Sequence, residues 1–250
     1  MIKEERYEKI LDILDEEKFI SAFELIKRLY VSLPTIRRDL AELQQKNQIL
    51  RSHGGARKLH IDNMQMPVEF RKTLKSSEKR QMCKLASDLI HDNDTIYIDA
   101  STSTFQIANF LSEKKAITVI TNSIPLSILL KQNGISSYCT GGEMQINSSA
   151  YAGTLAEEFI KKFNIDIMFI SSSGINEDGF INDISLSETQ LRKVAISQSK
   201  KVVFLCDGTK FNLSAPFNLI PVRSVDYLIT NDLRAINFFG ENDKDKVLII

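Results

Sequence analysis

Apolar residues at helical spacing open the chain. Ile10, Leu11, Ile13 and Leu14 recur within 3–17 on one face of a helix. Ser21 is a good N-cap with Glu24 at the capping-box position, which predicts a second helix running to about residue 30. That helix offers Phe23, Leu25, Ile26 and Leu29 to a core. After the connection 31–33, Ser32 can cap a third helix, and Pro34 falls in its first turn, where a missing N–H costs little. Ile36, Leu40 and Leu43 follow at i, i+4 and i+7 and face inward, which leaves Thr35, Arg37 and Arg38 on other faces near the helix start. Residues 48–52 read as a β segment, and the pair Gly54-Gly55 supplies a tight turn.

From residue 76 onward helical and strand-like patterns alternate. Helical patterns cover 78–90, 104–111, 125–131, 155–163 and 188–199. Strand patterns cover 94–99, 117–121, 135–139, 165–171, 201–206 and 225–230. Such alternation implies an α/β domain with an open, mostly parallel sheet covered on both faces. The polar stretch 59–75 is read as a linker, which divides the chain into 1–58, 59–75 and 76–250.

Composition narrows the class. With 250 residues, 43% hydrophobic and 26% charged, the chain has the proportions of a globular protein rather than a collagenous or disordered one. No apolar run approaches the roughly 20 residues of a membrane span, and the charged N-terminus lacks a signal peptide's apolar stretch. Cys83, Cys139 and Cys206 have no CxxC spacing and read as reduced thiols, so a cytoplasmic protein without membrane partners is expected. His53, His60 and His91 stand at no metal-ligand spacing, and no P-loop or dinucleotide fingerprint occurs; no metal or cofactor is expected.

Charge changes the reading of the first part. The formal net charge is zero, yet residues 26–58 hold eight basic residues against two acidic ones. Two helices joined by a short turn, the second of them basic, followed by a glycine-tipped hairpin, make a winged helix-turn-helix. The second helix of such a unit enters the major groove of DNA. Arginine suits bidentate contacts to guanine and contacts to phosphate alike. The expected DNA-binding residues are Ser32, Thr35, Arg37, Arg38, Arg51, His53, Gly54, Gly55 and Arg57.

The second part carries polar residues where the predicted strands end. These are 99–104, 121–123, 140–143, 172–174 and 207–210. Hydroxyls and backbone N–H groups suit a phosphate, and Lys210 can reach an anion. In open α/β sheets ligands bind beyond the carboxyl ends of the strands, so these loops together predict a ligand crevice.

The run Ser32-Leu33-Pro34-Thr35-Ile36-Arg37-Arg38-Asp39-Leu40, followed by Arg51-Ser52-His53-Gly54-Gly55-Ala56, resembles the signature of the DeoR family of bacterial transcription regulators. The resemblance continues through Asp99 and Thr102, Thr121-Asn122, Gly141-Gly142, Gly153, Glu188, and Asp207 with Lys210-Phe211, and so covers nearly the whole chain. It implies a sensor similar in fold to ribose-5-phosphate isomerase. It further implies a sugar-phosphate effector held by Ser101, Thr102, Ser103, Thr104 and Lys210, with Asp99, Asn122, Gly142 and Glu188 nearby. Ser101 stands where the family has Gly, Ser103 where it has Thr and Thr209 where it has Ser. A Cβ at 101 narrows the gap through which backbone meets phosphate.

The expected function is a non-enzymatic repressor of a carbohydrate operon that binds double-stranded operator DNA as a homodimer or homotetramer, under control of a sugar phosphate. Two alternatives stand beside it. One is a sugar-phosphate isomerase with a DNA-binding appendage, using Asp99, Glu143, Asp183, Glu188 or Asp207 as general base. The other is a DNA-binding regulator whose sensor is silent.

Overall fold

The computed structural model describes residues 2–17, 19–45, 48–52, 54–58 and 68–250. They fall into two compact units, 1–63 and 64–250.

The smaller unit is built from α1 (Lys3–Glu17), β1 (Ile20–Ser21), α2 (Ala22–Leu29), α3 (Leu33–Gln45), β2 (Ile49–Ser52) and β3 (Gly55–Lys58). The caps are those that the sequence predicts. The Ser21 hydroxyl accepts from the Glu24 N–H at 3.0 Å, and the Ser32 hydroxyl accepts from the Thr35 N–H at 3.4 Å. Ile36, Leu40 and Leu43 are buried against Ile10, Leu14, Leu25 and Leu29. Phe23 departs from expectation: it is 67% exposed, because Leu25 and Leu29 set the buried face and residue 23 lies off it. Arg6 grips the buried Asp39 with two bonds, Nε to Oδ2 at 2.7 Å and Nη2 to Oδ1 at 2.9 Å, tying α1 to α3.

The three strands pair antiparallel in the order β1-β3-β2. The two wing glycines do different jobs. Gly54 takes φ +86 in the turn, which favours glycine. Gly55 is not a turn residue. It begins β3, where a Cβ would lie 2.3 Å from the Ile20 carbonyl oxygen, so glycine lets β1 and β3 close up.

In the larger unit, the end of the expected linker is helical: α4 spans Val68–Thr73, with Val68 buried. Then come α5 (Ser76–Asp88), β4 (Thr95–Ile98), a 3-10 helix (Phe105–Phe110) in place of the expected helix, β5 (Thr118–Thr121), α6 (Ile124–Gln132) and β6 (Ser137–Cys139). A hairpin of β7 (Glu143–Gln145) and β8 (Ala150–Ala152) precedes α7 (Thr154–Ile160) and β9 (Ile165–Ile170). The remainder is β10 (Gly174–Ile175), β11 (Phe180–Asp183), α8 (Leu186–Ser197), β12 (Ser199–Leu205), β13 (Phe217–Pro221), β14 (Tyr227–Thr230) and β15 (Val247–Ile249).

Seven of these strands form one sheet in the order β15-β14-β12-β9-β4-β5-β6, and every neighbouring pair is parallel. Alternate residues serve opposite faces, and both faces are covered. Tyr97, Met168 and Ile170 pack with α7 and α8, while Ile96, Ile98, Ile167 and Phe169 pack with α5, the 3-10 helix and α6. The chain runs outward from β4 through β5 to β6, then returns to place β9 on the other side of β4. That reversal opens a crevice beyond the carboxyl ends of β4 and β9.

Candidate functional site

The smaller unit carries a basic face. Arg28 is occupied by Glu17 at 2.6 Å and Glu24 at 3.2 Å, and Arg6 by Asp39. Arg37 and Arg38 on α3 and Arg51 on β2 are exposed and make no ion pair among the described residues. Thr35 is half-buried, and its hydroxyl lies 2.9 Å from that of Ser32, so these two build the helix start. Gly54 is exposed at the wing tip and Gly55 is buried. His53, the linker stretch 59–67 and the Arg57 side chain lie outside the described residues.

In the larger unit, the loops after β4, β9 and β12 meet at the sheet's reversal point. Asp99, at the end of β4, organises them. Its Oδ1 accepts from the Ser101 N–H at 3.1 Å and the Thr104 hydroxyl at 2.9 Å. Its Oδ2 accepts from the Ser171 N–H at 3.2 Å and from Arg192 Nε at 3.1 Å. Asp99 therefore shapes the loop, with both oxygens engaged. Ser101 has no positive φ, so its side chain sits there without backbone strain, and its hydroxyl contacts Thr104 at 2.9 Å.

Lys210 comes from the turn after β12. Its ammonium donates to Ser171 Oγ at 2.7 Å, the Ser172 carbonyl at 2.8 Å and Ser103 Oγ at 3.4 Å. All three acceptors are neutral. Asp207 holds this turn by accepting from the Thr209 N–H at 3.0 Å. Burial raises the Asp207 pKa, but Lys210 and Thr209 outweigh it and keep the carboxyl below its ordinary range.

Lys79, on α5, is a site residue that the sequence reading does not single out. It is 4% exposed and donates to Thr102 Oγ1 at 3.0 Å and to the Arg71 carbonyl. Burial, with Lys210 second, pulls its pKa down to about 7. Cys83, one turn on, donates to the Ser103 carbonyl at 3.0 Å, and burial pushes its thiol up to about 12, so it is an inert thiol under the loop.

On the far side Arg192, also missed from sequence, lies buried amid three carboxylates. It reaches Asp99, Asp183 at 2.8 Å and Glu188 at 3.3 Å. Burial alone would lower its pKa, but Asp183, Asp99 and Glu188 together raise it. Glu188 also accepts from Ser148 Oγ at 2.7 Å. Asn122 is held at both ends, accepting from the Tyr97 hydroxyl at 3.1 Å and donating to the Tyr151 carbonyl at 2.9 Å. Gly142 takes φ +111 with a Cβ position 2.6 Å from the Ala152 carbonyl oxygen, so only glycine fits there.

Lys79 and Arg192 share a readable signal. Lys79 lies on the stripe of Met82, Cys83 and Ala86, and Arg192 on that of Thr189 and Ala195. A cation on the buried stripe of a helix needs a partner in the interior.

Comparison with known proteins follows this division. The DeoR-like helix-turn-helix domain matches residues 6–61, and the DeoR C terminal sensor domain matches 74–232. The HTH-type transcriptional repressor GlcR of Bacillus subtilis is 32% identical over 100% of this chain and 96% of its own. The glycerol-3-phosphate regulon repressor of Escherichia coli is 28% identical over 92% of each chain. Among solved structures, ribose 5-phosphate isomerase A of Methanocaldococcus jannaschii aligns with a TM-score of 0.40 and 18% identity over 54% of each chain.

Proposed function

The chain belongs to the DeoR family of transcriptional regulators, and from that premise we propose that it represses a carbohydrate operon and releases it in response to a sugar phosphate. The relative named as a glycerol-3-phosphate regulon repressor supports this effector class. The observation that carries it is Lys210, an ammonium held only by neutral oxygens beside the hydroxyl-rich loop 101–104. A dianionic phosphate gives Lys210 a directly bonded anionic acceptor, which Asp207, acting on it through space, does not supply. Ser101, Thr102, Ser103, Thr104 and Lys210 form the phosphate end. Gly142 stands at the sugar end, where it lets the loop close on β8 and α7, and Asp99, Asn122 and Glu188 hold the walls.

In the winged helix, α3 enters the major groove with Thr35, Arg37 and Arg38 foremost. Arg51 and the Gly54 tip, with His53 and Arg57, approach the flanking phosphates. A single such module binds weakly, so we infer a homodimer or homotetramer that places two modules on one operator. No described helix is long and apolar enough to cross a membrane, and the cytoplasm is where such a regulator works.

Binding rather than turnover is favoured by the state of the carboxylates. Asp99, Asp183 and Glu188 are all bonded to Arg192, so these three carboxylates are engaged in holding the crevice together.

The test is fluorescence anisotropy on the promoter fragment upstream of the protein's own gene, with a panel of sugar phosphates and their unphosphorylated parents. One phosphorylated compound should weaken DNA binding, and Lys210→Ala should keep DNA affinity while losing that response. A response equal to wild type in Lys210→Ala, or one to the unphosphorylated parent, overturns the assignment.

A further inference from the structure

We propose that Tyr30, in the turn between α2 and α3, contacts DNA, and that the outer stripe of α2 formed by Phe23, Lys27 and Tyr30 grips the phosphate backbone beside the groove that α3 enters. This rests on the DNA-binding reading of the winged helix and adds to it a surface outside α3 and the wing.

Tyr30 ends α2 in the left-handed region, at φ 52 and ψ 44. Glycine takes that conformation freely, whereas a residue with a Cβ is strained there. Nothing within the unit offsets the strain. Tyr30 is 93% exposed, and among the described residues its hydroxyl has no hydrogen-bond partner and its ring no aromatic or cationic contact. Its neighbours hold it outward: Leu29 is buried, and Val31 packs against the same core. Strain kept at a residue with no internal partner points to a contact made outside the chain.

The rest of the stripe says what that contact is. Positions 23, 27 and 30 stand at i, i+4 and i+7 on one side of α2, off the buried face of Leu25 and Leu29. They span about 10 Å of helix. The Lys27 ammonium lies 4.7 Å from the centroid of the exposed Phe23 ring, which steadies it. Lys27 is exposed and makes no ion pair among the described residues, whereas Arg28, next in the chain, is held by Glu17 and Glu24. A phosphate backbone supplies an anion for Lys27, an acceptor for the Tyr30 hydroxyl and sugar edges for the Phe23 ring. The place in the fold agrees. Tyr30 stands two residues before Ser32, whose hydroxyl caps the start of α3. In helix-turn-helix units the helix before the recognition helix crosses the backbone.

The test measures the affinity of the full chain for two duplexes of equal length across a salt series. One is the promoter fragment upstream of the protein's own gene, and the other has an unrelated sequence. Tyr30→Phe keeps the ring and removes the donor. It should weaken binding to both duplexes alike, by about tenfold, with the salt slope unchanged, because a neutral donor releases no counterion. Lys27→Gln should weaken both and lower the slope by about one. Tyr30→Gly should bind at least as weakly as Tyr30→Phe while its thermal midpoint equals or exceeds that of wild type, since glycine relieves the strain. A loss of affinity that accompanies a lower midpoint makes Tyr30 a structural residue and overturns the inference. Affinity within about twofold of wild type in both Tyr30 variants, where Arg38→Ala binds weakly, overturns it and leaves α3 in its role. A loss confined to the promoter fragment overturns the backbone contact. An oligomer that dissociates in Tyr30→Gly means that a second copy covers the stripe, and overturns the inference too. No binding of either duplex by wild type overturns it together with the DNA-binding reading.

Discussion

Arg192 Nε donates to Asp99 Oδ2 at 3.1 Å, joining residues 93 positions apart in the floor of the crevice. The same guanidinium holds Asp183 and Glu188, and its side chain is only 7% exposed. One cation thus supports three carboxylates from three segments of chain.

Removing it leaves those carboxylates buried without a counter-charge. Arg192→Leu should lower the stability of the sensor by about 3–5 kcal/mol, read from the urea midpoint. A loss below about 1 kcal/mol would show that water, not Arg192, balances the cluster. Lys at the same position should recover only part, since a point charge cannot fork to three partners.

On the DNA side, Arg37 and Arg38 are exposed cations of α3 with no ion pair among the described residues, whereas Arg28 is tied to Glu17 and Glu24. Arg38→Ala should cost about 1–3 kcal/mol of operator affinity if it reads a base. If it meets phosphate alone, all sequences should weaken alike and the salt slope should fall by about one. Arg28→Ala is the control, and an equal loss there would remove α3 from its assigned role.

Adjacent glycines separate local strain from crowding. Gly141 has φ +64 and open space around its Cβ position, while Gly142 has φ +111 and the Ala152 carbonyl at 2.6 Å. Gly141→Ala should cost about 1 kcal/mol in thermal unfolding. Gly142→Ala should cost clearly more and also disturb effector binding, because β8 and α7 must shift. Equal effects at both positions would mean that the crevice wall yields freely.

What was legible in the sequence follows from where the signal is local. Ser21, Glu24, Ser32 and the stripe Ile36, Leu40, Leu43 mark helices because caps and periodicity act within a few residues. The central strands of the sheet were legible because burial on both faces demands apolar runs such as 165–170. The strands β7, β8, β10, β11, β13 and β15 were not. They have two to five residues, are often polar, and are defined by partners far away in sequence. Helix α4 was hidden in a polar stretch by its charged residues. At the crevice the hydroxyl loop and Lys210 stood out by composition. The roles of Asp99 and Glu188 as supports depend on Arg192, whose place on the buried stripe of α8 is readable but whose partners only the fold reveals.

Lys79 gives the sensor a stability that rises with pH. Burial and Lys210 lower its pKa from 10.5 to about 7 in the folded chain, so between those values the unfolded chain carries a proton that the folded chain lacks. Stability increases with pH wherever the unfolded state binds more protons. The penalty of holding a buried ammonium is therefore full below pH 7 and is relieved as pH rises from 7 toward 10.5. Lys79→Met removes both the charge and the penalty. The variant's stability relative to wild type should be greatest near pH 6 and should decline by a few kcal/mol by pH 9, measured as urea midpoints across the series. Phosphate should flatten this dependence in wild type, because a bound dianion compensates the ammonium that burial disfavours. A difference between the two proteins that stays constant from pH 6 to 9 would place the Lys79 pKa near its ordinary value.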